Sequence, residues 1–499
     1  MTMIKTKGAN KILKIANYIA FGIFAIAEIA LIIMLLCTSF LPLNFFCLAV
    51  LVLCVVTLIF AFGAYMGGNI AIAICLFLEL LGSIGLGIVL NYLFSTQSFL
   101  DGIQSTNYKT EEYLVVVKKD SAFEAVEDLK DKTIATYTEN WENYQTAVSE
   151  LSGMVDAKIT NYDDAIEASS ALLESEVDAV LLKGSIRMTV SEIIPKWNDE
   201  NIRILYTIKI QTETVSYDRN INVSEEPFSI LISGIDTYGD ISTVSRSDVN
   251  MIMTINPKTH KILLTSIPRD FYVQLHGTTG SKDKLTHSGI YGIDMTRTTL
   301  EDLFGIDIDY SVRVNFNTLV NLVDIIGGIT ITPDTTFKAS GCYFTKDEAA
   351  MLNGKCALAY SRERHAYSSG DRHRVQNQQD VLEAIIAKMT SSKTLISRYF
   401  DILDSISGSI ETTIPASQFY KLANLQLADM PQWTIGKVSV NGYGDYNVTY
   451  SMGSRLLYVM VPYEDTIEKA KTEMGKILHG ADLDAEDNTA DANDNEDYD

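Results

Sequence analysis

Basic residues are scarce in this 499-residue chain: 40 Lys and Arg stand against 63 Asp and Glu, giving a formal net charge of −23. Affinity for a nucleic-acid backbone needs Lys and Arg clustered on one face, so no nucleic-acid partner is expected. A Walker-type glycine-rich loop and a Gly-x-Ser-x-Gly elbow are also missing, which leaves nucleotide hydrolysis and serine-hydrolase chemistry without sequence support. The cysteines join no histidines at metal-ligand spacing, so no zinc-type site is expected. Apolar residues, by contrast, make up 47% of the chain, and mean hydropathy is +0.10. A positive hydropathy beside so many acids requires segregation. The first hundred residues are almost continuously apolar, and nearly all acids lie beyond Asp101. That pattern excludes a purely soluble enzyme, a fibrous protein and a globally disordered chain, and the length allows about three structural units.

Three apolar stretches, Ile15–Leu36, Leu41–Phe62 and Ile70–Leu90, each approach the ~20 residues that cross a hydrocarbon core as a helix. The first is too long for the core of a cleaved signal peptide, and two more spans follow it directly. Lys5, Lys7, Lys11 and Lys14 precede the first span, and neither connection carries a base. The positive-inside rule then places the amino terminus in the cytoplasm and, after three crossings, everything beyond about Tyr92 outside. Residues 1–95 are thus expected to form a transmembrane module of a multi-pass protein. Glu28 and Glu79 fall inside spans, where a bare carboxylate is costly. They are expected to face a neighbouring helix, with contact to partner helices or lipid head groups as the alternative. Cys37, Cys47, Cys54 and Cys75 read as small apolar packing residues. Cys342 and Cys356 fall in the external part, where a disulfide can persist, and the sequence leaves open whether they pair.

Residues 105–222 alternate strand-like and helix-like pieces: strands at Tyr113–Val117, Thr133–Thr136 and Ala179–Leu182, and helices at Ala122–Leu129, Asn143–Leu151 and Asp163–Leu173. This reads as an α/β accessory domain, whose wording resembles one lobe of extracellular solute-binding proteins. A stable domain without a ligand is favoured; ligand or partner binding is the alternative. Residues 226–480 form a second α/β unit. Its strands are expected at Phe228–Ser233, Val249–Ile255, Lys261–Ile267 and Tyr310–Val314. Its helices are expected at Asn317–Ile326, stopped by Gly327 and Gly328, and at Arg374–Met389. The acid-rich stretch 481–499 lacks the apolar content to fold and is expected to be disordered.

The arginines of this acidic chain are the informative residues. Arg246, Arg269, Arg313, Arg362, Arg364, Arg372 and Arg374 sit at strand ends or about the start of the long helix. A guanidinium offers a planar fork that matches phosphate oxygens and stays charged. Several converging arginines suit an anionic ligand such as a di- or polyphosphate; scattered surface ion pairs are the alternative. Asp236 and Asp248 stand at strand ends beside them, as suits a hard cation such as Mg²⁺ (or Mn²⁺) that takes one or two carboxylates and completes its shell with phosphate oxygens. Loop capping is the commoner fate of such aspartates. Arg374 and Gln378 are four apart and share a helix face, with Val381 and Ile385 continuing an apolar stripe.

These pieces together resemble the LytR-CpsA-Psr family of envelope phosphotransferases. The matching stretches run in order from Leu231-Ile232-Ser233-Gly234-Ile235-Asp236 through Arg246-Ser247-Asp248, Asn256-Pro257-Lys258-Thr259, Ser266-Ile267-Pro268-Arg269-Asp270 and Asp283-Lys284-Leu285-Thr286-His287. They continue through Arg313-Val314-Asn315-Phe316, Val323–Gly328 and Ser361-Arg362-Glu363-Arg364 to Gly370-Asp371, Arg374 and Gln378-Gln379. Asn377 departs from the pattern, since many members carry Arg before the Gln pair. The three spans and the extra external domain resemble the capsule-type branch. The fold implied is a mixed central sheet flanked by helices.

The resemblance implies an enzyme on the outer face of a Gram-positive-type membrane that moves a glycopolymer, capsular polysaccharide or wall teichoic acid, from a polyprenyl-pyrophosphate carrier to peptidoglycan. Asp236 and Asp248 would hold Mg²⁺. Arg246, Arg269, Lys284, Arg313, Arg362, Arg364, Arg374 and Gln378 would bind the pyrophosphate, and apolar residues of the sheet and helices would line a channel for the lipid tail. Arg269, Arg362, Arg364 and Asp371 would serve catalysis, with Asp371 or Asp236 as the base. Partners would be the lipid-linked glycan, peptidoglycan, membrane lipid and other capsule or wall assembly proteins of the membrane. A polyprenyl-pyrophosphate phosphatase and a non-enzymatic membrane regulator are the alternatives.

Overall fold

The structure, a computed structural model, describes residues 2–39, 41–66, 68–104, 108–138, 142–213, 219, 221–235, 241, 243–367, 371–391, 408–429 and 431–480. Asp236 and the acid-rich stretch 481–499 lie outside them.

Three long apolar helices come first: α1 (Thr2–Thr38), α2 (Leu43–Met66) and α3 (Asn69–Ile103). All three are long and apolar enough to cross a membrane. The two intramembrane acids join them: Glu28 of α1 accepts from the Thr57 hydroxyl of α2, and Glu79 of α3 accepts from Asn17 Nδ2 of α1 at 2.8 Å. Both face neighbouring helices, as the cost of a bare carboxylate in hydrocarbon demands. α3 outruns the expected end at Leu90 by more than three turns. Its last residues bury Leu100 and Ile103 against Tyr420, which explains why the apolar pattern weakens there without the helix ending.

A five-stranded sheet follows, in the order β3-β2-β4-β1-β5. It comprises β1 (Tyr108–Lys118), β2 (Thr133–Tyr137), β3 (Lys158–Tyr162), β4 (Ala179–Lys183) and β5 (Ile202–Glu213), with helices α4 (Glu142–Met154), α5 (Ala165–Leu173) and α6 (Arg187–Ile193). Asp164 caps α5 by accepting from the backbone N–H groups of Ile166 and Glu167, each at 2.8 Å. The expected helix at Ala122–Leu129 shrinks to one 3₁₀ turn at Val126–Leu129. There Asp128 accepts from the N–H groups of Glu124 and Ala125 and holds the preceding residues extended. β3 and β5 go beyond the sequence expectation, because β3 holds no buried residue and β5 alternates more and less covered ones rather than forming a buried run.

The second sheet has six strands in the order β16-β11-β6-β7-β8-β17. Its members are β6 (Phe228–Ile235), β7 (Val249–Asn256), β8 (Lys261–Ile267), β11 (Tyr310–Asn315), β16 (Ile410–Thr412) and β17 (Thr434–Ser439). It is mixed: β6 runs parallel to β11 and β8 to β17, while β6, β7 and β8 pair antiparallel. Short strands β9 (Tyr272–Val273) and β10 (Asp283–Lys284) and the helical turn α7 (Leu285–Ser288) sit at its end, followed by α8 (Ile293–Phe304). α9 (Phe316–Ile325) leads through β12 (Ile329–Ile331), β13 (Phe337–Ala339), β14 (Cys342–Phe344) and β15 (Ala350–Leu352) to α10 (Gly354–Arg362) and the long α11 (Asp371–Ser391). α12 (Ala416–Asp429), the hairpin β18 (Gly442–Thr449) and β19 (Gly453–Pro462), and α13 (Glu464–His479) complete the described chain.

Strand alternation sends Leu231, Ile252 and Leu263 to one face, against Leu300 and Phe304 of α8 and Ile467, Met474 and Ile477 of α13. Phe228, Ile230, Met251, Leu264 and Tyr310 go to the other, where Leu382 and Ile386 of α11 and Phe419 of α12 cover them. With helices on both faces, the strands read as near-continuous apolar runs, which makes them legible in the sequence.

Cys342 and Cys356 form a disulfide that ties β14 to the start of α10, across a sequence separation of 14. Replacing both by serine is expected to cost about 3 kcal/mol through the freed loop, read as a lower denaturation midpoint in urea.

Asp309, which precedes β11, is buried and accepts from the Ser229 N–H at 2.8 Å. Burial pushes its carboxyl up to about 6, although the Ser229 N–H and Arg219 oppose the rise. The folded state therefore holds this proton more tightly than the unfolded chain. The resulting stability is present below the unfolded value and is lost as pH climbs towards 6. Asp309→Asn keeps the acceptor and is expected to stabilise the fold at pH 7.5 by on the order of 2 kcal/mol, with no gain at pH 4, as urea titrations at the two pH values would register.

Candidate active site

The site is built where three loops meet at the ends of β6, β7 and β8. Asp248 N donates to Gly234 O at 2.9 Å, Ser247 N to Thr286 O at 3.0 Å, Thr286 N to Arg269 O at 2.8 Å and Leu285 N to Phe271 O at 2.8 Å. Gly289 lies beneath this junction; a Cβ there would come within 2.5 Å of Ser245 O and Ser247 N, so no other residue fits without shifting the loop.

Asp248 is the hub. It is nine-tenths buried, and its Oδ1 accepts from Arg269 Nη1 at 2.9 Å and Thr286 Oγ1 at 3.2 Å. Arg246 Nη2 lies 3.9 Å from its Oδ2. Burial works against its charge, but Arg246, then Arg269 and Arg374, hold its carboxyl below the usual carboxylate range. Asp270, the neighbour of Arg269 in sequence, has a similar role, with Lys284 Nζ at 3.1 Å and Arg269 Nε at 3.6 Å. Arg246, Arg269, Asp270, Lys284, Thr286 and Arg364 line a cavity of about 300 Å³ together with Glu192 and Tyr458. Arg364 is fixed by the turn that ends α10, where Glu363 Oε1 accepts from the N–H groups of Arg364, His365 and Ala366 at 3.0, 2.6 and 2.9 Å.

The expected residues therefore divide. Arg246, Arg269, Lys284 and Arg364 converge on one cavity, and Arg374 is near enough for its charge to act on Asp248. Arg362 is exposed, with its guanidinium 4.4 Å from the centre of the Phe316 ring. Arg313 departs from expectation. Its side chain points to Glu411 of β16 at 3.3 Å and donates to Thr243 O at 3.0 Å, so it braces the loop segment leading to Arg246. The Gln pair also splits: Gln378 is half-buried, whereas Gln379 is buried and donates to Leu264 O at 3.0 Å and Val438 O at 2.8 Å, joining β8 to β17. Asn377, the departure from the family pattern, is fully buried and donates to Tyr360 O at 3.0 Å, joining α11 to α10. Asp371 begins α11, but its side chain, like the whole of Asp236, lies outside the described part of the structure.

Sequence reasoning misses four residues of the cavity wall. Asp270 and Thr286 lie inside motifs whose neighbours it selects, and their adjacency to Arg269 and Lys284 is the available signal. Glu192 and Tyr458 come from α6 and β19 and carry none.

No group of three or more His, Cys, Asp and Glu side chains that could hold a metal exists among the described residues. A divalent cation that needs only one or two protein carboxylates still fits here in one respect: Asp248 Oδ2 is buried without a hydrogen-bond partner and its carboxyl is held ionised.

A cavity lined by basic side chains at the strand ends of a helix-covered mixed sheet, preceded by three helices long and apolar enough to cross a membrane, defines an α/β domain with an electropositive site. The chain belongs to the LytR_cpsA_psr family, whose model matches residues 200–471. It is 36% identical over 217 residues to the polyisoprenyl-teichoic acid–peptidoglycan teichoic acid transferase TagU of Enterococcus faecalis, covering 42% of this chain and 70% of that protein. To TagU of Bacillus mycoides it is 35% identical over 198 residues, covering 40% of this chain and 64% of the relative's length. The crystal structure of TagV from B. subtilis aligns over 51% of this chain and 98% of its own, with 31% identity and a TM-score of 0.43.

Proposed function

We propose that this protein is a glycopolymer phosphotransferase, which moves a wall polymer from a polyprenyl-pyrophosphate carrier onto peptidoglycan at the outer face of the membrane. One observation carries the reading: in a chain of net charge −23, four basic side chains, Arg246, Arg269, Lys284 and Arg364, surround a single cavity. Family membership and the names of the TagU relatives support it, and those names favour teichoic acid as the polymer class over capsular polysaccharide. Lys5, Lys7, Lys11 and Lys14, in the first part of α1, support an inward amino terminus, and the Cys342–Cys356 disulfide agrees with an oxidising compartment for the remainder.

In the reaction proposed, a wall hydroxyl attacks the phosphorus that bears the polymer. The bond from that phosphorus to the bridging oxygen breaks, and the lipid monophosphate leaves with the electron pair. Negative charge grows on the transferring and leaving oxygens. Preorganised cationic donors are worth most at that moment, since they need not reorient. Arg269 is held by Asp248 and Asp270, and Lys284 by Asp270, so both are fixed before the donor arrives. Asp248 would be a ligand of Mg²⁺, with Asp236 the other; when bound, the cation would neutralise phosphate oxygens. The hydroxyl's proton goes to Asp371 or Asp236.

Purified full-length protein in lipid nanodiscs, given a lipid-linked donor with and without peptidoglycan fragments, tests this. Glycan coupled to the fragments is the expected result. Release of glycan phosphate regardless of the acceptor would make the protein a phosphatase, and no consumption of donor would overturn the enzymatic reading.

A further inference from the structure

The accessory α/β unit reaches into the candidate site. Glu192 of α6 accepts from Arg246 Nη1 at 2.8 Å and forms part of the cavity wall. Residue 192 precedes the stretch 200–471 that the family model matches, so this carboxylate comes from the accessory unit and not from the matched domain.

The contact is not a chance touch between two loosely joined bodies. β1 of the accessory sheet pairs with the segment leading to Arg246: Thr110 bridges Thr243, and Val244 N donates to Thr110 O at 3.2 Å. Ile290 and Met452 of the second unit are buried within the accessory core. Lys183, 3% exposed, lies 5.9 Å from the centre of the Tyr291 ring. Arg455 Nε lies 3.6 Å from Asp164 Oδ2, the cap of α5. Both partners of the Glu192–Arg246 pair are therefore mounted on backbone that the interface fixes.

The two ends of that pair differ in kind. Arg246 is 4% exposed, whereas Glu192 is 46% exposed at the cavity mouth. A guanidinium so stripped of water needs an anion beside it; a half-exposed glutamate can swing into solvent at little cost. The wall carries Arg246, Arg269, Lys284 and Arg364 against Glu192 and Asp270, and Glu192 is the acid on the side open to solvent.

We propose that Glu192 is a built-in counter-ion that occupies the phosphate position on Arg246, is displaced by the incoming diphosphate, and returns to help expel the lipid monophosphate after transfer. This deepens the function proposed above and rests on it. An arriving anion must win Arg246 from Glu192, so affinity is held down. The same competition shortens the stay of a product that carries one phosphate fewer.

The test is isothermal titration of the full-length protein in nanodiscs with inorganic pyrophosphate, using wild type, Glu192→Gln, Glu192→Asp and Arg246→Ala. Removing the competing negative charge is expected to tighten pyrophosphate binding roughly five- to tenfold in Glu192→Gln. Glu192→Asp should stay near wild type. In the transfer assay Glu192→Gln should lower KM and kcat together, a split that loss of a merely structural contact would not give. Equal or weaker pyrophosphate binding by Glu192→Gln, with binding lost in Arg246→Ala, would overturn the counter-ion role and leave the site standing. Pyrophosphate binding unaffected by Arg246→Ala would overturn both.

Discussion

Arg269→Ala is expected to lower kcat/KM for polymer transfer by roughly two to three orders of magnitude, the usual consequence of removing one preorganised donor from developing oxyanion charge. Arg269 is held on one side by Asp248 and on the other by Asp270, and its side chain lines the cavity. Arg269→Lys keeps the charge but loses the planar fork, so it should recover only some of the loss. The measurement is glycan coupled to peptidoglycan fragments per unit time, with thermal melting to show that the variant is folded. Activity within a few-fold of wild type in a folded Arg269→Ala protein would remove this arginine from the chemistry.

Asp248→Asn should damage both the fold and the site. The substitution leaves Arg246 and Arg269 clustered without the carboxylate between them, and breaking a buried pair in this way costs about 3–5 kcal/mol. The sign of the pH dependence follows from the direction of the shift. The folded pKa is depressed, so this stabilisation is fully present above the unfolded carboxylate value and is lost as pH falls through the folded one. Wild type and Asp248→Asn should thus differ most in urea midpoint near neutral pH and converge in acid. A difference that widens on acidification would contradict the ionised hub. Transfer should fall below detection in the variant, since the same carboxylate fixes Arg269 and is the proposed cation ligand.

What is legible in the sequence is what repeats or what carries charge against the trend. β6, β7 and β8 are almost wholly buried and announce themselves as largely apolar runs. The arginines stand out because their surroundings are acidic. Amphipathic edge strands such as β3 carry no such run, and an alternating strand such as β5 is hard to separate from loop. Charge alone also cannot say where a side chain points: Arg313 and Arg246 look alike in one dimension, yet the first braces the loop segment that leads to the second. Gln378 and Gln379 are equally hard to divide, because the helix phase that sends one of them into the β8–β17 seam depends on packing. Glu192 is out of reach for a different reason, since its role exists only once two separately folded units meet.

The third apolar helix is longer than a bilayer crossing needs. At about 1.5 Å per residue its 35 residues span some 50 Å, well beyond a ~30 Å hydrocarbon slab. Its outer end is gripped rather than hinged: Gln104 bridges Thr412 and Tyr420 Oη donates to Gln97 Oε1 at 2.8 Å, while Asn424 Nδ2 holds the end of α1 by donating to Ser39 O at 3.1 Å. Through β16 and β11 that grip continues to β6, whose Gly234 O accepts from Asp248 N beside the cavity. With the topology proposed above, such a mast would give the arginine cradle a set altitude above the leaflet, much as a lathe's tool post fixes the cutting depth. A carrier lipid would have to raise its headgroup to that level, and polymer length would not alter the distance.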